Sequence, residues 1–152
     1  MATAIYVPGA RGREVGSVYV ELTITNRLDA GLAERGMLSL DDVRSVTLDH
    51  VLVDTGASGL ALPQEVVDRL GLPARREVPI RTAAGESTAW LYADAMLTIE
   101  GRSDTFSCIA LPYGSQALLG CVTMEALGLQ PDIRNHRLLL LPELPGDTHW
   151  LV

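Results

Sequence analysis

The sequence predicts a mainly β domain with one or two short helices. Three observations favour this class: apolar and polar residues alternate in several segments, turns containing glycine separate these segments, and the helical segments are short. The chain has 152 residues, 47% of them hydrophobic, which suffices for one core without metal or disulfide. We expect residues 17–141 to form this domain, between an N-terminal segment (1–16) and a C-terminal tail (142–152).

The composition excludes several kinds of partner. With 12 basic against 19 acidic side chains, the net charge of -7 repels nucleic acid and anionic membrane surfaces. No segment approaches the roughly 20 apolar residues that cross a bilayer, and the first residues lack the pattern of a secretory signal. We therefore expect a cytoplasmic protein with free thiols at Cys108 and Cys121 and no nucleic-acid or membrane partner.

The first strands are predicted from alternation. Residues 17–26 form a half-buried strand. Its apolar face consists of Val18, Val20, Leu22 and Ile24. Residues 27–44 are interpreted as a connection with one helical turn. A second strand, 46–53, is strongly apolar in its last residues and ends at Asp54.

Proline and glycine delimit the next elements. A helix at 63–70 has proline at its first position and ends before Gly71. Two hairpins follow, with turns at 83–86 and 101–104. The strands predicted for these hairpins are 77–82, 87–91, 92–100 and 105–111.

The second half of the chain repeats a pattern of the first half. An apolar strand at 117–120 precedes a helix at 122–127, and a last strand is predicted at 137–141. Both helices end in Leu-Gly-Leu, around Gly71 and Gly128, with proline just beyond. A repeat of about 57 residues indicates a pseudo-twofold axis inside the domain.

The turn Asp54-Thr55-Gly56 carries the first chemical signal. An acidic residue at the end of a buried strand is unfavourable unless its carboxylate is hydrogen-bonded or used. In a structural interpretation, Asp54 caps its own turn and Gly56 supplies a positive φ. In a functional interpretation, the carboxylate does chemistry. The three histidines show no metal-ligand spacing with the two cysteines, so no metal or other cofactor is expected.

Three motifs occur in a characteristic order: VLVDTGAS at 51–58, a hairpin around Gly85, and ALLG at 117–120 followed by MEALGL at 124–129. With these motifs the sequence resembles the retropepsin-like aspartic proteases over roughly residues 17–141. The resemblance implies a closed acid-protease β-barrel that forms one half of a symmetric dimer.

The resemblance also implies an aspartic endopeptidase that cleaves extended polypeptide segments. Its chemistry needs two close carboxylates that share one proton, one to activate water and one to polarise the carbonyl. Because only Asp54 stands in the required setting, the second carboxylate is expected from another copy in a homodimer. By resemblance, Thr55 reaches across to the partner's backbone, and Gly56 lets water and substrate approach.

Substrate-binding residues follow from the same resemblance. They are Ala57, Ser58, Leu60, Ala84, Gly85 and Leu118. Gly85 and its neighbours form a flap that closes over the peptide, and the residues near Ile80 help to make the pockets apolar. Ala57 offers no hydroxyl to a catalytic carboxylate, so we expect activity at mildly acidic to near-neutral pH.

The match to the retroviral pattern is incomplete. Retroviral members carry an ion pair at two positions that are Ser58 and Cys121 here. The C-terminal LLLLP segment (138–142) is expected to supply the dimer interface instead. These departures and the 27–44 connection favour an alternative, a non-catalytic retropepsin-fold module for dimerisation or peptide binding.

Overall fold

A computed structural model describes residues 5–6 and 16–142. Within this part of the chain, ten strands and three α-helices are present, and the mainly β class is confirmed. The strands are β1 (Ile5–Tyr6), β2 (Val18–Asn26), β3 (Ser45–Val53), β4 (Leu60–Pro63), β5 (Ala74–Thr82), β6 (Gly85–Ile99), β7 (Arg102–Leu111), β8 (Leu118–Leu119), β9 (Leu129–Asp132) and β10 (Arg137–Leu140). The helices are α1 (Arg27–Glu34), α2 (Gln64–Leu70) and α3 (Cys121–Leu127).

Seven strands form one sheet in the order β2-β3-β8-β4-β7-β6-β5, and β2 also pairs with β6. This additional pairing closes six of the strands into a barrel and leaves β5 outside the ring, paired with β6. The short strand β8 lies between β3 and β4, parallel to the first and antiparallel to the second. The chain segments that end β3 and begin β4 therefore meet at β8.

The barrel closes around an apolar core. The four alternating positions of β2 that the sequence assigns to the buried face are at most 2% exposed. Other fully or almost fully buried side chains are Val51, Leu60, Leu62, Leu97, Ile99 and Leu119. Cys108 belongs to the same core, and burial raises the pKa of its thiol to about 12. Both cysteines are free, as predicted.

Residues 27–44 hold more structure than the single helical turn that was predicted. The eight-residue helix α1 begins after Asn26, whose side-chain oxygen accepts the N–H of Asp29 at 3.0 Å, and a 3₁₀ turn follows at Leu40–Asp42. The buried Asp29 carboxylate accepts two bonds from the Arg44 guanidinium, at 2.7 and 3.0 Å. These hydrogen bonds hold the pKa of Asp29 below its ordinary value and fasten the helix to the start of β3.

The two hairpins differ in detail from the prediction. The first turn consists of Ala83 and Ala84, and Gly85, with φ 120°, already pairs with Thr82. The segments predicted as separate strands, 87–91 and 92–100, form the single strand β6, whose register with β7 shifts between Tyr92 and Ala95. The second turn is shorter than predicted, because Arg102, Ser103 and Asp104 belong to β7.

Both repeats of the sequence have the same local structure. Helices α2 and α3 each contain seven residues and end at a left-handed glycine, Gly71 (φ 59°) and Gly128 (φ 65°). Pro63 directly precedes α2 rather than occupying its first position. A left-handed C-terminal residue is the geometry in which glycine carries no steric penalty.

A second sheet contains β1, β10 and β9 in that order. Strand β10 confirms the predicted last strand and occupies the middle of this sheet, with Leu138 fully buried. Apart from Ile5–Tyr6, Gly16 and Pro142, the proposed terminal segments lie outside the described residues. Among the helices that the structure describes, none is long and apolar enough to span a membrane.

Candidate active site

Asp54 begins a tight turn directly after β3. Its backbone N–H donates to the carbonyl of Leu119 at 3.0 Å, and its own carbonyl accepts the N–H of Ala57 at 3.1 Å. One carboxylate oxygen, Oδ1, accepts the N–H of Gly56 at 2.9 Å. The other oxygen makes no hydrogen bond to any described residue. The turn therefore fixes the carboxylate through one oxygen and leaves the second available.

The structure contains the cap that the structural interpretation predicts, because Asp54 accepts a bond from its own turn. The prediction of a positive φ at Gly56 is wrong. Gly56 does not belong to the glycines with positive φ. A side chain there would instead place Cβ 3.2 Å from Oδ1 of Asp54, closer than ordinary van der Waals contact. Thr55 and Gly56 are exposed, and Asp54 is half-buried. A small residue after Thr55 keeps the carboxylate accessible.

The second repeat holds this turn by main-chain hydrogen bonds. The N–H groups of Cys121 and Val122 donate to the carbonyls of Ala57 and Ser58, at 2.9 and 3.0 Å. Gly120 lies so close to the turn that an added Cβ would be 2.5 Å from the nitrogen of Gly59. The two backbones are in direct contact here, which only glycine permits. Positions 58 and 121 thus hold the turn through main-chain bonds.

A cleft of about 810 Å³ opens beside Asp54. It is lined by Asp54, Gly56, Ala57, Ser58, Gly59, Leu60, Ala61, Val78, Pro79, Ile80, Arg81, Thr82, Ala83, Ser107, Ile109, Leu111 and Leu118. Four predicted substrate-binding residues belong to this lining: Ala57, Ser58, Leu60 and Leu118. Ala84 and Gly85 do not. The hairpin contributes β5 and only the first residue of its turn, because its incoming strand lies along the cleft.

Strand β7 provides a wall of the cleft that was not predicted from the sequence. Ser107, Ile109 and Leu111 alternate along this strand and line the cleft, whereas Cys108 between them is buried in the core. Strand β7 reaches the cleft because it pairs in parallel with β4, with Ala61 opposite Ile109. The alternation in 105–111 could have indicated two distinct faces, but the parallel partner is a non-local contact.

Thr55 lies on another side of the turn. It lines a smaller cavity of about 270 Å³ that also includes Asp54, Pro131 and Ile133. In this cavity the apolar side chain of Ile133 is 49% exposed. Val122, whose N–H donates to Ser58, is 58% exposed. The expectation that the LLLLP segment supplies the dimer interface stays a prediction. Strand β10 pairs with β9 at all four of its residues and with β1 at Leu139 and Leu140.

Comparison with known proteins gives a consistent result. The family model described as "gag-polyprotein putative aspartyl protease" matches residues 45–128, more than half of the chain. No curated protein matches. A crystal structure of a retropepsin-like aspartic protease from Rickettsia conorii is similar with a TM-score of 0.57 and 23% identity, over 93% of this chain and 92% of that one.

The EIAV protease complexed with the inhibitor HBY-793 is also similar, with a TM-score of 0.46 and 18% identity. That match covers 73% of this chain and 88% of the viral one. The likeness to the Rickettsia structure establishes the fold alone, since the sequences are distant. The retropepsin-like fold class predicted from the motifs is confirmed.

Proposed function

This chain belongs to the gag-polyprotein aspartyl protease family, and we propose that it is an aspartic endopeptidase acting as a homodimer. The observation that carries the proposal is the Asp54 carboxylate, which lies at a large, mainly apolar cleft with one oxygen unengaged by any described residue. A half-buried acid in such a cleft is the expected position of a group that meets substrate.

The proposed reaction is hydrolysis of a peptide bond by activated water. One ionised Asp54 accepts a proton from water as the water oxygen bonds to the carbonyl carbon, and the other, protonated Asp54 donates to the carbonyl oxygen. The tetrahedral intermediate then loses its C–N bond as a proton passes to the leaving nitrogen. The Gly56 N–H bond to Oδ1 keeps each carboxylate in one orientation, with the free oxygen toward the reacting atoms.

A second copy is needed because one carboxylate cannot be acid and base at once. Asp54 is the only acidic residue among the described residues of the cleft lining. We propose that Asp54 of each copy meets at a twofold axis and that Thr55, which is exposed, contacts the partner's backbone. The exposed side chains of Val122 and Ile133 are apolar surface that such a partner would cover.

The proposed substrate is an extended polypeptide segment. Leu60, Val78, Ile80, Ile109 and Leu118 give the cleft apolar walls on several strands. An extended peptide presents its side chains alternately, so apolar residues on either side of the cleaved bond can enter separate pockets. Ala57 provides no hydroxyl beside Asp54, in keeping with activity at mildly acidic to near-neutral pH.

One observation favours the alternative of a non-catalytic dimerisation or peptide-binding module. The segment 27–44 presents three large apolar side chains to solvent, Leu28, Met37 and Leu40, which are 61%, 72% and 81% exposed. Exposed apolar side chains concentrated in one segment are typical of an interaction surface. A non-catalytic module would depend on this surface, whereas a protease does not need it.

The deciding experiment compares the protein with Asp54→Asn on a mixed peptide library, with the oligomeric state measured in the same buffers. We expect a dimer in both cases and a loss of cleavage by Asp54→Asn of about 100-fold to 10,000-fold, the contribution of general acid–base catalysis. Asp49→Asn, which changes an exposed acid of β3 outside the cleft, is the matched control and should cleave like the original protein.

Three outcomes would contradict the proposal in whole or in part. Cleavage that persists in Asp54→Asn would exclude Asp54 as the catalytic acid and base. A folded dimer that cleaves no peptide would favour the non-catalytic module. A monomer that cleaves would contradict the homodimer specifically, because the second carboxylate would then have to come from the same chain.

A further inference from the structure

Arg81 is an unusual member of the cleft lining. Among the described residues that line the cleft, it is the only basic side chain, and Asp54 is the only other charged one. It follows Ile80 on β5, one residue before the end of the strand, and its side chain is largely exposed. A guanidinium at the rim of an apolar cleft can discriminate between peptides that the walls alone would treat alike.

The structure gives Arg81 no strong internal role. Its guanidinium is 3.4 Å from Oε1 of Glu86, the residue opposite it in the hairpin. The two side chains are 84% and 83% exposed, and ion pairs this exposed contribute little to stability. The Arg81 guanidinium can therefore exchange the Glu86 carboxylate for another one at little cost to the fold.

From this arrangement, and resting on the proposed function, we propose that Arg81 selects substrates that carry Asp or Glu close to the apolar residues around the cleaved bond. A guanidinium offers a planar pair of N–H donors that fits a carboxylate. In an extended peptide, a side chain that points at β5 is separated by a few residues from those that enter the apolar pockets.

The overall charge of the protein sharpens this inference. At a net charge of -7, the average field repels acidic peptides. A preference for acidic residues cannot then arise from general attraction and must come from a local group. Within the described lining, Arg81 is the group that can supply it. Glu86 would compete with the substrate for the same guanidinium.

The test uses peptide pairs that share one apolar core and differ by Glu or Gln at a single flanking position. At about pH 6, where Glu is ionised, we expect the ratio of kcat/KM for the Glu and Gln peptides to reach about tenfold at the best position. Arg81→Gln should bring this ratio close to one, and Arg81→Glu should favour Lys over Gln. Arg76→Gln removes an exposed arginine of β5 outside the cleft and should keep the original ratio.

Glu86→Gln separates recognition from a structural role. If Arg81 binds substrate, removing its competitor should raise the Glu-to-Gln ratio above that of the original protein. If Arg81 only stabilises the hairpin through Glu86, both Arg81→Gln and Glu86→Gln should lower cleavage of every peptide and leave the ratio unchanged. A ratio of one at every position in the original protein, or a ratio that survives in Arg81→Gln, would overturn the inference.

Binding distinguishes this inference from the proposed function. The same peptides are titrated into Asp54→Asn and into Asp54→Asn combined with Arg81→Gln. Tighter binding of Glu peptides that depends on Arg81, without cleavage by the original protein, would support the selectivity and contradict the protease. Cleavage with no preference for Glu peptides in rate or binding would support the protease and contradict the selectivity.

Discussion

The two halves of the barrel share one framework but differ in chemistry. In the first half, β3 leads through the Asp54 turn and β4 to α2; in the second, β7 leads through a loop and β8 to α3. Each half ends its helix at a left-handed glycine, and an arginine guanidinium lies against that glycine. Arg44 contacts Gly71, and Arg102 contacts Gly128. The two halves therefore share the same order of elements and the same arrangement of glycine and arginine at the helix end.

The difference lies at the ends of the two long strands. Strand β3 ends at Asp54, whereas the loop after β7 fastens itself to the first half: the Tyr113 hydroxyl donates to Asp68, and the N–H of Gly114 donates to Glu65 at 3.0 Å. The second half thus helps to position Asp54 but provides no corresponding acid of its own. The proposed reaction needs two acids, and under that proposal the second acid comes from another copy of the chain.

The largest expected effect on stability comes from a substitution that breaks the contact between the halves. Gly120→Ala would place Cβ 2.5 Å from the Gly59 nitrogen and 2.8 Å from the Ala57 oxygen, which are backbone atoms that cannot move aside alone. We expect a loss of about 3 kcal/mol or more in the free energy of unfolding, at the upper end of overpacking effects. Urea unfolding monitored by fluorescence measures it.

Gly59→Ala is the matched control for this substitution. It lies on the other side of the same contact, but its own Cβ would have nothing within 4 Å. We expect a change within about 0.5 kcal/mol, as for an unhindered surface position. Equal losses for the two variants would show that flexibility, not the close backbone contact, explains the glycine at 120.

Local patterns in the sequence were sufficient to predict much of this framework. Alternation in 17–26 identified the buried face of β2, and the glycines after the two helices marked their ends, because both signals act over a few residues. The Asp54 turn was identifiable for the same reason. The extent of α1 was missed, since its anchor joins Asp29 to Arg44 across 15 residues and leaves no periodic signal.

Non-local contacts account for the residues of the site that were predicted wrongly or not predicted. Ala57, Ser58 and Leu60 follow Asp54 in the chain, so their place at the cleft followed from sequence proximity. The part of the hairpin that lines the cleft depends on how the barrel tilts it, and β5 rather than Gly85 is positioned there. The wall from β7 depends on a parallel pairing with β4 that no local pattern encodes.

A smaller effect tests whether the two helix ends are equivalent. Alanine at Gly71 or Gly128 adopts a left-handed conformation, which is unfavourable by about 1–2 kcal/mol, and must also displace an arginine. Displacing Arg44 leaves the buried Asp29 carboxylate without its cation, and displacing Arg102 breaks its bonds to the carbonyls of Leu127 and Gly128. We expect both variants to lose more free energy of unfolding than backbone strain alone costs, as measured by urea unfolding.

Gly36→Ala provides the reference for strain alone. Gly36 also has a positive φ, 72°, but a Cβ there meets nothing within 4 Å. Its loss of stability should be the smallest of the three. If all three alanine variants lose the same free energy of unfolding, the arginine contacts contribute nothing, and the two halves share only their backbone geometry.

The smallest effect depends on pH and tests the hydrogen-bonded pair of Asp29 and Arg44 at the first helix end. Hydrogen bonds from Arg44 lower the pKa of Asp29 in the folded protein below its ordinary 3.8. The unfolded chain therefore takes up this proton first, so the stabilisation is complete above pH 3.8 and is lost as the pH falls through the folded pKa. The pKa of Asp68 is also lowered, by the Tyr113 and Gln64 hydrogen bonds, and that of Asp132 is lowered by bonds from Asn135 and Arg137, so both add to the same trend.

The amides of Gly71 and Gly128 each donate at 3.1 Å to a carbonyl of the preceding helix and serve as matched reporters. Below pH 3.8, we expect hydrogen-exchange protection at Gly71 to fall as the Asp29 carboxylate is protonated, and Asp29→Asn to make this fall smaller while leaving the response of Gly128 unchanged. A fall at Gly71 that is the same in Asp29→Asn would mean that acid acts on the barrel as a whole and not through the bonds between Asp29 and Arg44.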